Sequence, residues 1–283
     1  MRVRFLPVWI TGAAVVICGC STGSGTAHHT AAAAAKPPGS VSRSAPAASP
    51  SSSPAASPSS RPSPSATPTA TAEPKRQATK KPAAANLQLG DHGPAVYRLQ
   101  RRLMSLGYWI DSANGQFGDT TQQAVYALQK EAGLTRDGVA GPKTMAALAR
   151  GPRPGARTRG GHVIEVDLSK DLLLIVNDGK VADILNTSTA GGYAYTTTGG
   201  GTAIATTPTG VFRIERTVDG MDVSPLGELW RPRYFYGGYA VHGDGSVPPY
   251  PASHGCVRIS DAAIDWVWAA NQAPIGTEVD IYG

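Results

Sequence analysis

The sequence predicts a mainly β C-terminal domain with one clear helix, a small all-α module of three helices before it, and a long disordered linker before that. Three observations lead there. Residues 21–86 are dominated by Ala, Pro, Ser and Thr and hold almost no large apolar side chain, so they cannot bury enough surface to offset the entropy of ordering. From Leu87 apolar residues recur at helical spacing, and from residue 161 alternation and β-branched side chains take over. The chain thus divides into an export segment (1–20), a linker (21–86), a helical module (87–150), a connector rich in Gly, Pro and Arg (151–160) and a β domain (161–283). Charge follows the same division. Of 26 Lys and Arg and 20 Asp and Glu in the whole chain, residues 1–86 hold nine and one, leaving 17 against 19 in residues 87–283. The net charge of +6 therefore belongs to the leader and linker, and the folded part gives no support to a nucleic-acid partner.

At the N-terminus, Arg2 and Arg4 precede a mostly apolar run from Phe5 to Ile17, which is too short for a stop-transfer helix. Ile17-Cys18-Gly19-Cys20 resembles a bacterial lipobox. The resemblance implies that Cys20 is lipidated and becomes the mature N-terminus, so that membrane contact is through that anchor alone. A plain cleaved signal peptide is the competing reading. Both place the protein outside the cytoplasm, on the cell-wall side of the membrane. The linker would span on the order of 200 Å in polyproline II form and much less as a coil. His28-His29 within it has no further ligand nearby and is read as incidental.

In the helical module, Pro94 suits a first turn, and Val96, Leu99, Leu103 and Leu106 follow before Gly107 ends the helix. Asp119 is the expected N-cap of a second helix carrying Ala124, Val125 and Leu128, with Gly133 beyond its end. A third runs from Pro142 through Met145, Ala147 and Leu148 to Gly151. Val96-Tyr97-Arg98-Leu99-Gln100-Arg101 and Val125-Tyr126-Ala127-Leu128-Gln129-Lys130 repeat one another, as do the loops Asn114–Gly118 and Arg136–Gly141. This pattern resembles the type 1 peptidoglycan-binding domain, which implies a wall-binding role without catalysis.

In the β domain, Val163, Glu165 and Asp167 alternate with Ile164, Val166 and Leu168, the pattern of a half-buried strand. Leu172–Val176 and Val181–Asn186 are strands joined by a hairpin turn at Asn177-Asp178-Gly179-Lys180. Val211–Arg216 and Glu278–Tyr282 are further strands, and Asp261–Asn271 is the one clear helix, capped by Ser260 or Asp261.

The chemistry centres on Ser253-His254-Gly255-Cys256-Val257-Arg258 with Val241-His242-Gly243 upstream. Cys18 and Cys20 lie in the leader, so Cys256 is the single thiol of the presumptive folded part and has no intramolecular disulfide partner. In an exported protein a lone cysteine is either an intermolecular bridge or a reactive thiol, and a buried structural cysteine is the bland alternative. A neighbouring imidazole can take the thiol proton and stabilise the resulting ion pair.

The string H-G-x(9)-S-H-G-C-V-R resembles the active-site signature of the L,D-transpeptidase (YkuD-like) family. Thr207-Pro208-Thr209-Gly210-Val211-Phe212 and Gly276–Ile281 are similar to two further segments of that family, so the resemblance covers roughly residues 161–283. Two departures concern substrate access: the Gly- and Thr-rich insert Gly191–Thr206 is long, and the segment between His242 and Ser253 is short.

The resemblance implies a β-sandwich with Cys256 as nucleophile and His242 as general base, oriented by the backbone carbonyl of Gly243. It makes the N–H groups of Gly255 and Cys256 the expected oxyanion hole. Arg258 would bind a substrate carboxylate or close an internal salt bridge, and Ser253 would fix the loop. His254 is expected to be structural or substrate-facing, with the base role as its alternative, and Tyr234, Tyr236 and Tyr239 are expected beside the substrate, with strand packing as their alternative. The histidines lack metal-ligand spacing with carboxylates, so no metal and no cofactor is expected.

The implied reaction is acyl transfer on peptidoglycan tetrapeptide stems, releasing D-alanine and forming 3→3 cross-links by a monomer whose partners are stem peptide and glycan. L,D-carboxypeptidase action and a non-catalytic wall-binding lipoprotein are the alternatives. A papain-like protease fits poorly, because there the cysteine precedes its histidine in the chain.

Overall fold

The computed structural model describes residues 86–283, which fall within one compact unit. The leader with Cys18 and Cys20, and residues 21–85 of the expected linker, lie outside the described residues.

Three helices come first: α1 (Pro94–Ser105), α2 (Asp119–Glu131) and α3 (Pro142–Arg150). Pro94 and Pro142 begin helices because a first-turn N–H has no helical partner to lose. Gly151 closes α3 in the left-handed conformation, φ 72°. One expectation is corrected. Gly118, in extended conformation, is the N-cap of α2, and Asp119 is the first helical residue, making no side-chain cap bond. Its carboxylate still sits where the helix dipole favours negative charge.

The internal repeat has a structural purpose. Gln100 of α1 and Gln129 of α2 are each 1% exposed and make the same set of bonds. Gln100 Nε2 donates to the Gln116 carbonyl and Thr121 Oγ1, and its Oε1 accepts from Gly115 N–H. Gln129 Nε2 donates to the Val139 carbonyl and Thr144 Oγ1, and its Oε1 accepts from Gly138 N–H. Each glutamine pins the Gly-containing loop before the next helix, and Gly115 and Gly138 turn there at φ 77° and 71°.

The β domain contributes β1 (His162–Asp167), β2 (Leu172–Asn177), β3 (Lys180–Asn186), β4 (Ala194–Thr196), β5 (Thr202–Ile204), β6 (Gly210–Arg213), β7 (Arg216–Thr217), β8 (Met221–Ser224), β9 (Gly227–Tyr236), β10 (Tyr239–Asp244) and β11 (Val257–Ser260). Helix α4 (Asp261–Ala269) and β12 (Glu278–Tyr282) complete it. The first sheet has the order β3-β2-β1-β12-β6 and the second β11-β10-β9-β7, with β8 paired to β9. Strands β4 and β5 form a separate hairpin within the insert. The turn between β2 and β3 has positive φ at both central residues, Asp178 (47°) and Gly179 (75°), the conformation that matches strand twist. Ser260 caps α4, its hydroxyl accepting from Ala263 N–H.

The run Val211–Arg216, expected as one strand, is two. Strand β6 pairs with β12 in the first sheet and β7 with β9 in the second, so the chain changes sheets at Ile214-Glu215.

One core lies between the sheets, where Ile164, Val166, Leu173, Ile175, Val279 and Ile281 meet Phe235, Val241, Val257 and Ile259, with Ile264 and Val267 of α4. The opposite face of the first sheet is also buried. Leu172, Leu174, Val176 and Ile184 join Val96, Leu99, Leu103, Val125 and Leu128 of the helices in a second continuous core. At roughly 1.5–3 kcal/mol for each buried aliphatic side chain, these four residues tie module and sheet together.

Strand β1 is likewise covered on both faces, which corrects the half-buried expectation. Glu165 is fully buried, and its carboxylate accepts from Arg157 N–H, Thr158 N–H, Thr158 Oγ1 and Tyr282 Oη. The segment read as a connector closes over the sheet, and its donors compensate the buried charge.

Candidate active site

The second sheet brings the candidate residues together through one parallel pairing. Strand β10 runs alongside β11 with His242 opposite Arg258, and Cys256 sits two residues before Arg258 at the entry to β11. Side chains alternate along a strand, so residues two apart share a face. Cys256, His242, Arg258, Ser253, His254, Gly255 and Tyr239 all line one cavity of about 600 Å³.

His242 is 4% exposed. Its Nδ1 lies 2.7 Å from the Gly243 carbonyl oxygen. A carbonyl only accepts, so Nδ1 carries the proton and Nε2 is left as the acceptor. Gly243 is glycine for a packing reason. A Cβ there would stand 2.6 Å from Ile264 Cγ2, 2.7 Å from Asp261 Oδ1 and 2.9 Å from Trp230 Cδ1, so α4 seats directly on the residue that orients the imidazole.

Cys256 is a free, partly exposed thiol, its Sγ 3.8 Å from the Gly238 carbonyl. Burial pushes its pKa up, opposed by the Ala240 N–H and the Arg258 charge. Burial draws the His242 pKa down, and Arg258 adds to this while Gly243 and Asp244 oppose it. Both shifts disfavour charge.

The loop that carries Cys256 is braced from within. Ser253, 1% exposed, donates its hydroxyl to the Cys256 carbonyl at 2.6 Å and accepts from Gly255 N–H at 3.0 Å. Thr207 Oγ1 donates to the Gly255 carbonyl at 2.9 Å while accepting from Ala190 N–H. The Gly255 N–H is therefore occupied, which corrects its expected place in an oxyanion hole. No other residue fits at position 255: a Cβ would overlap the Tyr239 ring and approach the Thr206 carbonyl oxygen to 2.8 Å.

Arg258 Nε lies 3.2 Å from Asp244 Oδ2, with both side chains about a quarter exposed, so the internal salt bridge exists and the guanidinium still lines the cavity. His254 is held edge-on by Tyr195 at 4.7 Å and Tyr193 at 5.5 Å between ring centroids. Both tyrosines come from the insert, and Tyr193 Oη also donates to the Ala252 carbonyl. Tyr239 stacks on Tyr236. Cys20 lies outside the described residues.

Sequence reasoning missed several cavity residues. Asp244 was signalled only by following the His-Gly pair. Tyr195 had no signal beyond an aromatic in a Gly-rich insert. Arg216 and Asp222 had none either, and both join Tyr234, which was expected there, in a linked cluster on the cavity lining, with Tyr234 Oη donating to Asp222 at 2.8 Å and the Arg216 guanidinium 3.7 Å above the Tyr234 ring. Among the described residues no group of three or more His, Cys, Asp or Glu could hold a metal ion, and no helix is long and apolar enough to cross a membrane.

Comparison with known proteins gives two family matches, a putative peptidoglycan-binding domain over residues 92–148 and an L,D-transpeptidase catalytic domain over residues 161–281. A crystal structure of the L,D-transpeptidase from Xylanimonas cellulosilytica DSM 15894 is 54% identical, covering 71% of this chain and 99% of that one, with a TM-score of 0.68. Among curated proteins, a probable N-acetylmuramoyl-L-alanine amidase of Bacillus licheniformis is 43% identical over 65 residues, 22% of this chain and 18% of the relative. The N-acetylmuramoyl-L-alanine amidase CwlM of Mycobacterium tuberculosis (strain ATCC 25618 / H37Rv) is 40% identical over 57 residues, 20% of this chain and 14% of the relative. The chain thus spans less than a fifth of the length of these two curated relatives.

Proposed function

Because the chain belongs to the L,D-transpeptidase family, we propose that it performs cysteine-dependent acyl transfer on peptidoglycan tetrapeptide stems. Nε2 of His242 takes the Cys256 proton as the sulfur attacks the carbonyl carbon of the diamino acid at stem position three. The C–N bond to the terminal D-alanine then breaks, the imidazolium returns its proton to the departing amine, and a thioester remains on Cys256. A side-chain amine of a second stem attacks the thioester and gives its proton to His242. The thiolate that leaves recovers a proton from the same imidazole, and a 3→3 cross-link results.

With Gly255 engaged by Ser253, the Cys256 N–H is the backbone donor assigned to the developing oxyanion, an interaction of several kcal/mol in the transition state. Arg258, aligned by Asp244, binds a carboxylate of the donor stem. The observation that carries the reading is the shared cavity of a free Cys256 and a His242 whose tautomer is fixed by Gly243.

The helical module is assigned to holding murein. Cys20 is assigned to a lipid anchor on the wall side of the membrane, on the strength of Ile17-Cys18-Gly19-Cys20. The intact mass of the N-terminal peptide from membranes distinguishes lipidation from simple cleavage. For the chemistry, the full chain is incubated with disaccharide tetrapeptide and followed by intact-protein and product mass spectrometry. An acyl adduct on Cys256 and a 3→3 dimer are expected from wild type and neither from Cys256→Ala. Tripeptide with no dimer would point to L,D-carboxypeptidase action, and identical profiles from both proteins to a wall-binding protein without catalysis.

A further inference from the structure

The repeat that pairs Gln100 with Gln129 also pairs Arg101 with Lys130. Arg101 is exposed, whereas the Lys130 side chain is fully buried. The lysine leaves the helical module altogether and ends inside the β domain. Its three N–H groups meet three acceptors: the Thr187 carbonyl at 2.7 Å, the Asp171 carbonyl at 2.8 Å and Asp171 Oδ2 at 3.3 Å. The other carboxylate oxygen, Asp171 Oδ1, accepts from Thr189 N–H and Thr189 Oγ1. The lysine–aspartate pair therefore fixes both Thr187 and Thr189.

These two residues begin the segment 187–191, which runs directly behind the catalytic loop. Thr187 Oγ1 and Ser188 N–H donate to the Arg258 carbonyl, and Arg258 N–H donates back to the Ser188 carbonyl. The Thr189 carbonyl accepts from Ala252 and Ser253 N–H, and Gly191 N–H donates to the Ser253 carbonyl. Ser188 Oγ holds the Tyr250 carbonyl. The backbone bonds that join Ser253 and Arg258 to the segment 187–191 thus lead to residues clamped by Lys130.

A buried ammonium is a poor choice for stability alone, since packed apolar residues of the same volume often serve as well or better. Burial draws the Lys130 pKa down to about 8 even with Asp171 opposing the shift, which reflects that cost. We propose that Lys130 is a positioning residue for the catalytic loop, so that the helical module forms part of the active-site scaffold as well as holding murein. The inference rests on Cys256 being the nucleophile.

The test uses the full chain carrying Lys130→Met with Asp171→Asn. The double change leaves no unpaired buried charge, and Asn tolerates the left-handed conformation of position 171, φ 60°. Expected results are cooperative unfolding, unchanged co-sedimentation with insoluble peptidoglycan, and kcat on disaccharide tetrapeptide lower by about ten- to a hundred-fold with KM within about twofold. Alkylation of Cys256 by iodoacetamide is followed against pH in parallel. Its rate and midpoint should shift, because the sulfur moves relative to His242 and Arg258.

Wild-type kcat and a wild-type alkylation profile in a folded double variant would overturn the proposal. Should that variant not fold, Thr189→Val removes only the hydroxyl that Asp171 holds. A lower kcat at constant KM then supports the role and an unchanged kcat overturns it. If wild type itself processes no tetrapeptide, the acyl-transfer reading fails, and the alkylation profile alone still decides whether Lys130 positions Cys256.

Discussion

Replacing Ser253 by Ala removes a hydroxyl that serves two buried backbone groups at once. The Cys256 carbonyl loses its donor at 2.6 Å and the Gly255 N–H loses its acceptor at 3.0 Å. A buried polar group left unpaired costs about 1–3 kcal/mol. The two groups are adjacent and one side of the loop faces the cavity, so entering water recovers part of the loss and the costs do not simply add. We expect about 2–3 kcal/mol of destabilisation, a fall of roughly 5–10 °C in Tm for a unit of this size.

Catalysis separates two accounts of the same residue. If Ser253 matters as a brace, kcat falls by about ten- to a hundred-fold as the sulfur drifts from its base. If Gly255 N–H were the oxyanion donor, freeing it would hold or raise kcat. Thermal unfolding followed by circular dichroism and single-turnover thioester formation read both quantities. A Tm within about 2 °C of wild type with undiminished kcat would refute the bracing role.

Four further outcomes follow from the geometry. Burial lowers the His242 pKa from 6.5, so the acid limb of kcat/KM should fall below that value; a limb above pH 7 would contradict the buried neutral base. The unfolded state then binds more protons than the folded one below pH 6.5, so stability should decline as pH drops through that interval, and His242→Asn should flatten the decline. Gly243→Ala drives a methyl group into Ile264, Asp261 and Trp230, and should cost about 1–3 kcal/mol in a urea titration while also depressing activity, since the displaced carbonyl orients His242. Tyr195→Ala removes an edge contact to His254 worth about 0.5–1.5 kcal/mol. It should raise KM by roughly two- to tenfold with kcat nearly constant, and an unchanged KM would separate the insert from substrate binding.

How much of this was legible depended on whether the signal was local. Helical spacing and Pro or Gly at the ends marked α1 to α3, and the repeated Val-Tyr-x-Leu-Gln anticipated two glutamines doing the same work. The cysteine, its upstream histidine and the arginine stood out because those residue types are rare and closely spaced. Long-range facts were not visible. Strand β9 carries Pro232 in its middle and β10 carries Gly243 near its end, with the Gly237-Gly238 pair between them, so neither shows a clean alternation. Nothing local says that Thr158 would cover Glu165, or that the strand after Val211 would cross between sheets. The engagement of Gly255 N–H by Ser253 is set by the loop's path, and Lys130 reads as an ordinary solvated helix residue until the β domain is placed beside it.

The shared core of helices and first sheet decides what survives if the chain is severed near residue 160. The released β domain would present Leu172, Leu174, Val176 and Ile184 to water as one oily face, a surface that invites self-association. The smallest soluble fragment that retains the cavity around Cys256 should therefore begin near residue 86, and protease nicking in 151–160 should leave two pieces that remain together until denatured.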